Sequence, residues 1–268
     1  VVPESRSVAA GDREDGDVRV AFVGKGGSGK STTVGTLARV LAADGERTLV
    51  LDSDVMPGLA QSIGIEPTDA GIPDHAVVEH PGGDGPRWRL RPGLSAQDAV
   101  EQFALRGPDD VRVLQFGKLR TDGAWTISPS LHAFDQVKRE LPEDGWHVLG
   151  DLPGGTRQPF FGWGDFASLM VVVVEPTVKS FLTARRVARR GASPGAPRLV
   201  AIANKVEDDE DVGRIERETG LEVLGAVPLD PAVRDADRAG VALVDQAPDG
   251  PAVTAIRSIA QRLRQEAT

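Results

Sequence analysis

From position 18 onward, short blocks that are apolar at nearly every position alternate with stretches whose apolar residues recur every three or four positions. The blocks at 18–23, 48–51, 111–116, 146–149, 169–174, 198–203 and 222–227 read as strands. Helices are expected over 30–43, 130–141, 177–190, 211–219, 231–239 and 252–265. Continuous apolar runs mark strands covered on both sides, and regular alternation with helices implies the α/β class: a mainly parallel sheet with helices on both faces. Residues 1–17 are small and polar without periodicity and read as a mobile leader. The remainder, 18–268, reads as a single domain, because no linker separates two apolar units. Within it the Pro- and Gly-rich segment at about 66–94 breaks the rhythm and is expected to be an irregular insertion.

Composition narrows the chemistry. With 268 residues, 40% of them hydrophobic, the chain can bury a full core. There is no cysteine, which excludes disulfides, thiolate metal sites, iron–sulfur ligation and a thiol nucleophile. A formal charge of -9 argues against broad adhesion to nucleic acid or anionic lipid, so neither is expected as a partner. The longest apolar run, 169–174, is far too short to cross a bilayer, and a cytoplasmic location is expected. His75, His80, His132 and His147 show no metal-ligand spacing.

One motif carries most of the chemistry. Directly after the first strand and before the first helix stands Gly24-Lys25-Gly26-Gly27-Ser28-Gly29-Lys30-Ser31-Thr32, which fits the phosphate-loop pattern G-x-x-x-x-G-K-[ST]. Glycines let the backbone curl until successive amides point at phosphate oxygens, and the following helix adds its positive end. In such a loop Lys30 reaches the β- and γ-phosphates and the Ser31 hydroxyl ligates Mg2+.

The second lysine, Lys25, makes the loop resemble the deviant phosphate loop of the MinD, ParA and nitrogenase iron protein group of ATPases. That resemblance runs from about Val18 to the C-terminus and implies a P-loop fold of the SIMIBI type, with ATP and Mg2+ as ligands. It also implies a homodimer in the ATP state, in which Lys25 reaches the nucleotide of the opposite subunit, and a partner protein that reads the switch. Asp54, in Asp52-Ser53-Asp54 after the second strand, resembles the switch I acid that orients the attacking water or a magnesium-bound water. Asp151, in Asp151-Leu152-Pro153-Gly154-Gly155, resembles the acid that holds Mg2+ through water. Asn204, in Ala203-Asn204-Lys205-Val206, and the segment with Pro228 and Asp230 resemble the two purine-contacting elements. Glu207 completes N-K-x-E, close to the N-K-x-D of GTP-binding proteins, so GTP stays open beside ATP.

Within the group, the stretches around Glu175-Pro176-Thr177 and Val227-Pro228-Leu229-Asp230 are most similar to the nickel-insertion ATPases of carbon monoxide dehydrogenase. Those carry a Cys-x-Cys where this chain has Thr126-Ile127-Ser128, and hydroxyls are poor ligands for such metals. Three further features have two readings each. Phe160, Phe161, Trp163 and Phe166 are either core or a partner-facing surface. Arg185, Arg186, Arg189 and Arg190 form either a solvated basic face or, as in partitioning ATPases, a DNA contact. The apolar stripe Val253, Ile256, Ile259, Ala260 and Leu263 either packs on the sheet or anchors to a membrane. The functional expectation is a Mg2+-dependent, ATP-hydrolysing dimeric switch; a non-catalytic nucleotide-binding module is the alternative, with a partitioning or positioning ATPase behind it.

Overall fold

Apolar side chains on both faces of seven strands build the molecule around one sheet. The computed structural model describes residues 17–54, 58–80, 86–115, 127–142, 145–155, 162–191 and 196–266. Eight strands lie in the order β10 (Val223–Pro228), β9 (Arg198–Val206), β8 (Leu169–Val174), β1 (Arg19–Gly24), β7 (His147–Asp151), β2 (Thr48–Asp52), β6 (Arg112–Gln115) and β5 (Leu105–Arg106). All neighbours pair in parallel except the two-residue edge strand β5, which runs antiparallel to β6. The expected class, a mainly parallel sheet with helices on both faces, is what the chain adopts.

Alternation within each strand feeds two separate cores. In β1, Ala21 and Val23 face the layer with Phe134, Val137 and Phe181, from helices α4 (Ile127–Glu140) and α5 (Val178–Gly191). Val20 and Phe22 face α1 (Lys30–Ala43) and α9 (Pro251–Glu266), against Leu37, Leu41, Ile256 and Ile259. The C-terminal apolar stripe is therefore packing: Val253, Ile256, Ile259, Ala260 and Leu263 are all buried on the sheet. Among the described residues no helix is long and apolar enough to cross a membrane.

Helix ends follow local chemistry. Asp208 caps α6 (Asp209–Thr219) by accepting from the Asp211 amide, and Gly220 closes it with φ 71°. Ser95 and Asp98 form a reciprocal capping box on α3 (Ala96–Phe103). Asp230 caps α7 (Pro231–Ala239) and also accepts from the Ala252 amide at the start of α9, tying two helix N-termini to one carboxylate.

Several elements went unread in the sequence. The segment expected to be irregular at 66–94 carries a short antiparallel hairpin, β3 (Val77–Glu79) with β4 (Trp88–Leu90). The Leu90 amide donates to Gln136 Oε1 and so fastens the hairpin to α4. Helices α2 (Leu59–Ile63), α3 and α8 (Leu243–Gln246) are also additions. The leader 1–16, the Trp125-Thr126 stretch with the side chains of Ile127 and Ser128, and Phe160 and Phe161 lie outside the described residues and side chains.

Strand order places the site. The strands β1, β2, β7, β9 and β10 end at one edge of the sheet, and β1 lies between two strands far from it in sequence, β7 and β8. A parallel sheet opens a crevice where successive crossovers leave in opposite directions, and the segment after β1 enters that crevice.

Candidate functional site

The phosphate loop is held in its curl from outside. Gly24, Gly27 and Gly29 have φ of 155°, 80° and 90°, values that side chains rarely adopt. At two of them space is also closed: a Cβ on Gly24 would lie 2.6 Å from the Val173 carbonyl oxygen, and one on Gly29 would lie 2.2 Å from Asn204 Nδ2. Asn204 Nδ2 donates to the Ser28 carbonyl at 2.7 Å and Lys205 Nζ to the Gly27 carbonyl at 2.8 Å. Two consecutive loop carbonyls are thus turned onto β9. Gly29→Ala is expected to weaken ADP binding roughly tenfold or more, the order of cost of a left-handed alanine plus a displaced brace, as read by titration of the folded variant.

Opposite the loop stand the acids. Ser31 Oγ donates to Asp151 Oδ2 at 2.6 Å, joining the first turn of α1 to the end of β7. Asp151 is buried, and its other oxygen, Oδ1, has no hydrogen-bond partner among the described residues. Burial raises its carboxyl from the ordinary carboxylate range to about 6; the Ser31 hydrogen bond and the Lys30 charge oppose the rise, and the charge of nearby Asp54 adds to it. Asp52 Oδ1 accepts from the Asp54 amide at 3.1 Å, so the first acid of the pair shapes the turn and the second stands half-buried near Asp151. Lys30 is buried, with its Nζ 3.8 Å from where a Cβ on Gly154 would sit; that same Cβ would be 3.2 Å from the Gly26 amide nitrogen. Glycine at 154 lets the chain after β7 close on the loop.

This donor set fits Mg2+. A hydroxyl, a buried carboxylate with an unpartnered oxygen and a second carboxylate nearby match a hard cation that keeps several waters.

On the far side of the loop a cavity of about 520 Å³ runs from Gly29 and Thr33 past Asn204 to Pro228, Asp230 and Arg234. Its floor is apolar, with Val227, Val233, Leu243 and Ile256, and its size suits a nucleoside.

A family model described as the CobQ/CobB/MinD/ParA nucleotide binding domain matches residues 20–257. The chain belongs to this family. Among its relatives, the carbon monoxide dehydrogenase accessory protein CooC of Rhodospirillum rubrum is 31% identical over 243 residues, 86% of this chain and 91% of that protein. The septum site-determining protein MinD of Pyrococcus horikoshii OT3, solved with Mg-ADP, shares the fold with a TM-score of 0.68 at 18% identity, over 92% of this chain and 96% of that one. The MinC:MinD cell division complex of Aquifex aeolicus contributes a chain with a TM-score of 0.65 at 19% identity, over 93% and 96%.

The fold brings Gly24, Gly26, Gly27, Ser28, Gly29, Lys30, Ser31, Thr32, Asp54 and Asp151 together around the loop, with Asn204, Pro228 and Asp230 along the adjoining cavity. Two of the side chains at this end also tie the fold together. Asn204 braces the loop with its amide, and both Asp230 oxygens accept backbone amides. Of the features with two readings, Phe166 is core, with its ring filling the space above Gly150, and Trp163 packs against the same core. Arg185 pairs with Glu218, while Arg186, Arg189 and Arg190 are exposed. Glu175 lies in a stretch with a family resemblance but has no role assigned from the sequence; the pairing of β8 with β1 sets it beside Lys25.

Proposed function

We propose that this P-loop ATPase is a Mg2+-dependent dimeric switch, in which ATP joins two copies and hydrolysis releases a conformation read by a partner protein. The observation that carries the reading is the second loop lysine. Lys25 Nζ stands at the outer lip of the loop, about one-third exposed, rather than in the crevice where Lys30 is buried. A cation there serves phosphates presented from outside its own subunit. The related septum protein in its MinC:MinD complex gives the precedent for a partner.

In this reading the amides of residues 26–31 and Lys30 hold the phosphates, which is mostly positioning and electrostatic work. Ser31, Asp54 and Asp151 would hold Mg2+, which when bound neutralises charge on the β- and γ-phosphoryl oxygens. Asp54 orients the attacking water, and Lys25 from the opposite subunit meets the charge that spreads over the transferred phosphoryl group. Gly154, packed on the Gly26 backbone, lets the segment after β7 respond when the γ-phosphate leaves. ATP is the proposed nucleotide. Asn204, whose Nδ2 is bound to the loop, keeps its Oδ1 for the purine, beside backbone and apolar contacts along 227–229.

The test is phosphate release from ATP as a function of protein concentration. Turnover per subunit that rises with concentration and then saturates is the expected result. Turnover per subunit independent of concentration overturns the dimeric site, and nucleotide binding without hydrolysis at any concentration leaves a binding module in its place.

A further inference from the structure

One carboxylate stands between Lys25 of the phosphate loop and Lys205, which braces it from β9. Glu175 follows the last residue of β8, and the register that pairs Gly24 with Val173 carries it to the rim of the loop. Its Oε1 accepts from Lys205 Nζ at 2.5 Å, and its Oε2 lies 3.5 Å from Lys25 Nζ. Its own amide donates to Ser180 Oγ at 3.0 Å, which fixes its backbone to the first turn of α5. The side chain is 11% exposed, against 32% for Lys25 and 39% for Lys205, so the acid is the enclosed member of the cluster.

The two lysines are not held equally. Lys205 Nζ is held twice, by Glu175 and by the Gly27 carbonyl at 2.8 Å, and its backbone holds a left-handed φ of 59°. Among the described residues Lys25 has only the longer contact to Glu175 and a 3.2 Å contact to the carbonyl of the adjacent Gly26. Lys25 can leave without stranding a buried charge, because Lys205 stays to pair the carboxylate.

We propose that Glu175 is a positioning residue that holds Lys25 within its own subunit and so sets the protein concentration at which the nucleotide-bound dimer forms. The inference rests on the cross-subunit reading of Lys25 and adds a force that opposes dimerisation inside each copy. Lys25 crosses only when the opposite subunit offers more negative charge than Glu175 does. A triphosphate offers more than a diphosphate, so the latch biases dimerisation toward the ATP state through this difference in attraction.

The experiment is a double-mutant cycle on the full chain, read as the protein concentration of half-dimerisation. It uses sedimentation with Mg2+ and a non-hydrolysable ATP analogue. Glu175→Gln, which keeps a hydrogen bond for Lys205, is expected to lower that concentration by roughly three- to tenfold while monomer affinity for ADP stays within about twofold. In a Lys25→Ala background the same substitution is expected to change nothing, a result that a merely structural role for Glu175 would not produce. An unchanged or raised concentration in E175Q, or an equal shift with and without Lys25, overturns the latch. If K25A dimerises like the wild type, the cross-subunit reading itself fails; if K25A weakens dimerisation and E175Q does not strengthen it, the latch alone fails. Should E175Q not fold, Glu175→Asp shortens the arm by one methylene and is read in the same cycle, with a smaller shift in the same direction expected.

Discussion

Lys25→Ala is expected to keep nucleotide binding while cutting concentration-dependent ATP turnover by roughly a hundredfold or more, the scale of removing one preorganised charge from a phosphoryl-transfer site. Binding survives because the loop's own grip does not involve this side chain. Lys30 is buried beside the acids, the Gly27 and Ser28 carbonyls are held by Lys205 and Asn204, and the curl depends on glycines at 24, 27 and 29. Turnover falls because Lys25 lies outside that frame, partly exposed at the lip. The check is paired: ADP affinity by titration, and phosphate release across a range of protein concentrations. A variant that binds ADP normally and hydrolyses ATP with the wild-type concentration dependence would remove Lys25 from the site. Equal losses of binding and turnover would instead make it a cis ligand of the phosphates.

The legible parts of this chain were the contiguous ones. The phosphate loop is nine consecutive residues between a strand and a helix, so sequence alone places its lysines, its hydroxyl and its glycines. Seven strands and six helices announced themselves because each is long enough to show a period. Apart from the eight-residue α3, the missed elements are short: five residues in α2, four in α8, three in each strand of the β3–β4 hairpin and two in β5. Over such lengths neither a period of 2 nor one of 3.6 can be distinguished. Contacts between distant segments were equally hidden. That Asn204 turns its amide onto Ser28 depends on the end of β9 meeting a loop 176 residues away at the sheet edge. The same holds for Glu175, which matters only because β8 lies beside β1. Asp230 reads as a ligand candidate in sequence, yet its two oxygens serve the N-termini of α7 and α9, a role that requires knowing where α9 begins.

Asp151 is where stability and function oppose one another, and Asp151→Asn is expected to separate them. Burial raises the folded carboxyl to about 6 from the ordinary 3.8 of an aspartate, so the folded chain holds this proton more tightly than the unfolded chain. The resulting stabilisation is complete below pH about 4 and is lost as pH rises through about 6. Above that range the ionised acid costs the nucleotide-free fold on the order of 3 kcal/mol relative to a neutral group. Asparagine can still accept from Ser31, and it carries no charge to desolvate. The variant is therefore expected to melt roughly 5–10 °C above the wild type at pH 8 without nucleotide. The difference is expected to shrink through pH 6 and vanish near pH 4. With Mg2+ and nucleotide the order reverses. The unpartnered Oδ1 is the oxygen best placed to meet a magnesium-bound water, and its replacement by an amide is expected to cost roughly tenfold to a hundredfold in Mg2+-dependent turnover. Thermal melts across pH, with and without Mg-ADP, check both halves. A variant that melts no higher than the wild type at pH 8 would show that the ionised acid is stabilised by its surroundings. A variant that gains stability and keeps full turnover would move the cation to the remaining groups, Ser31 and Asp54.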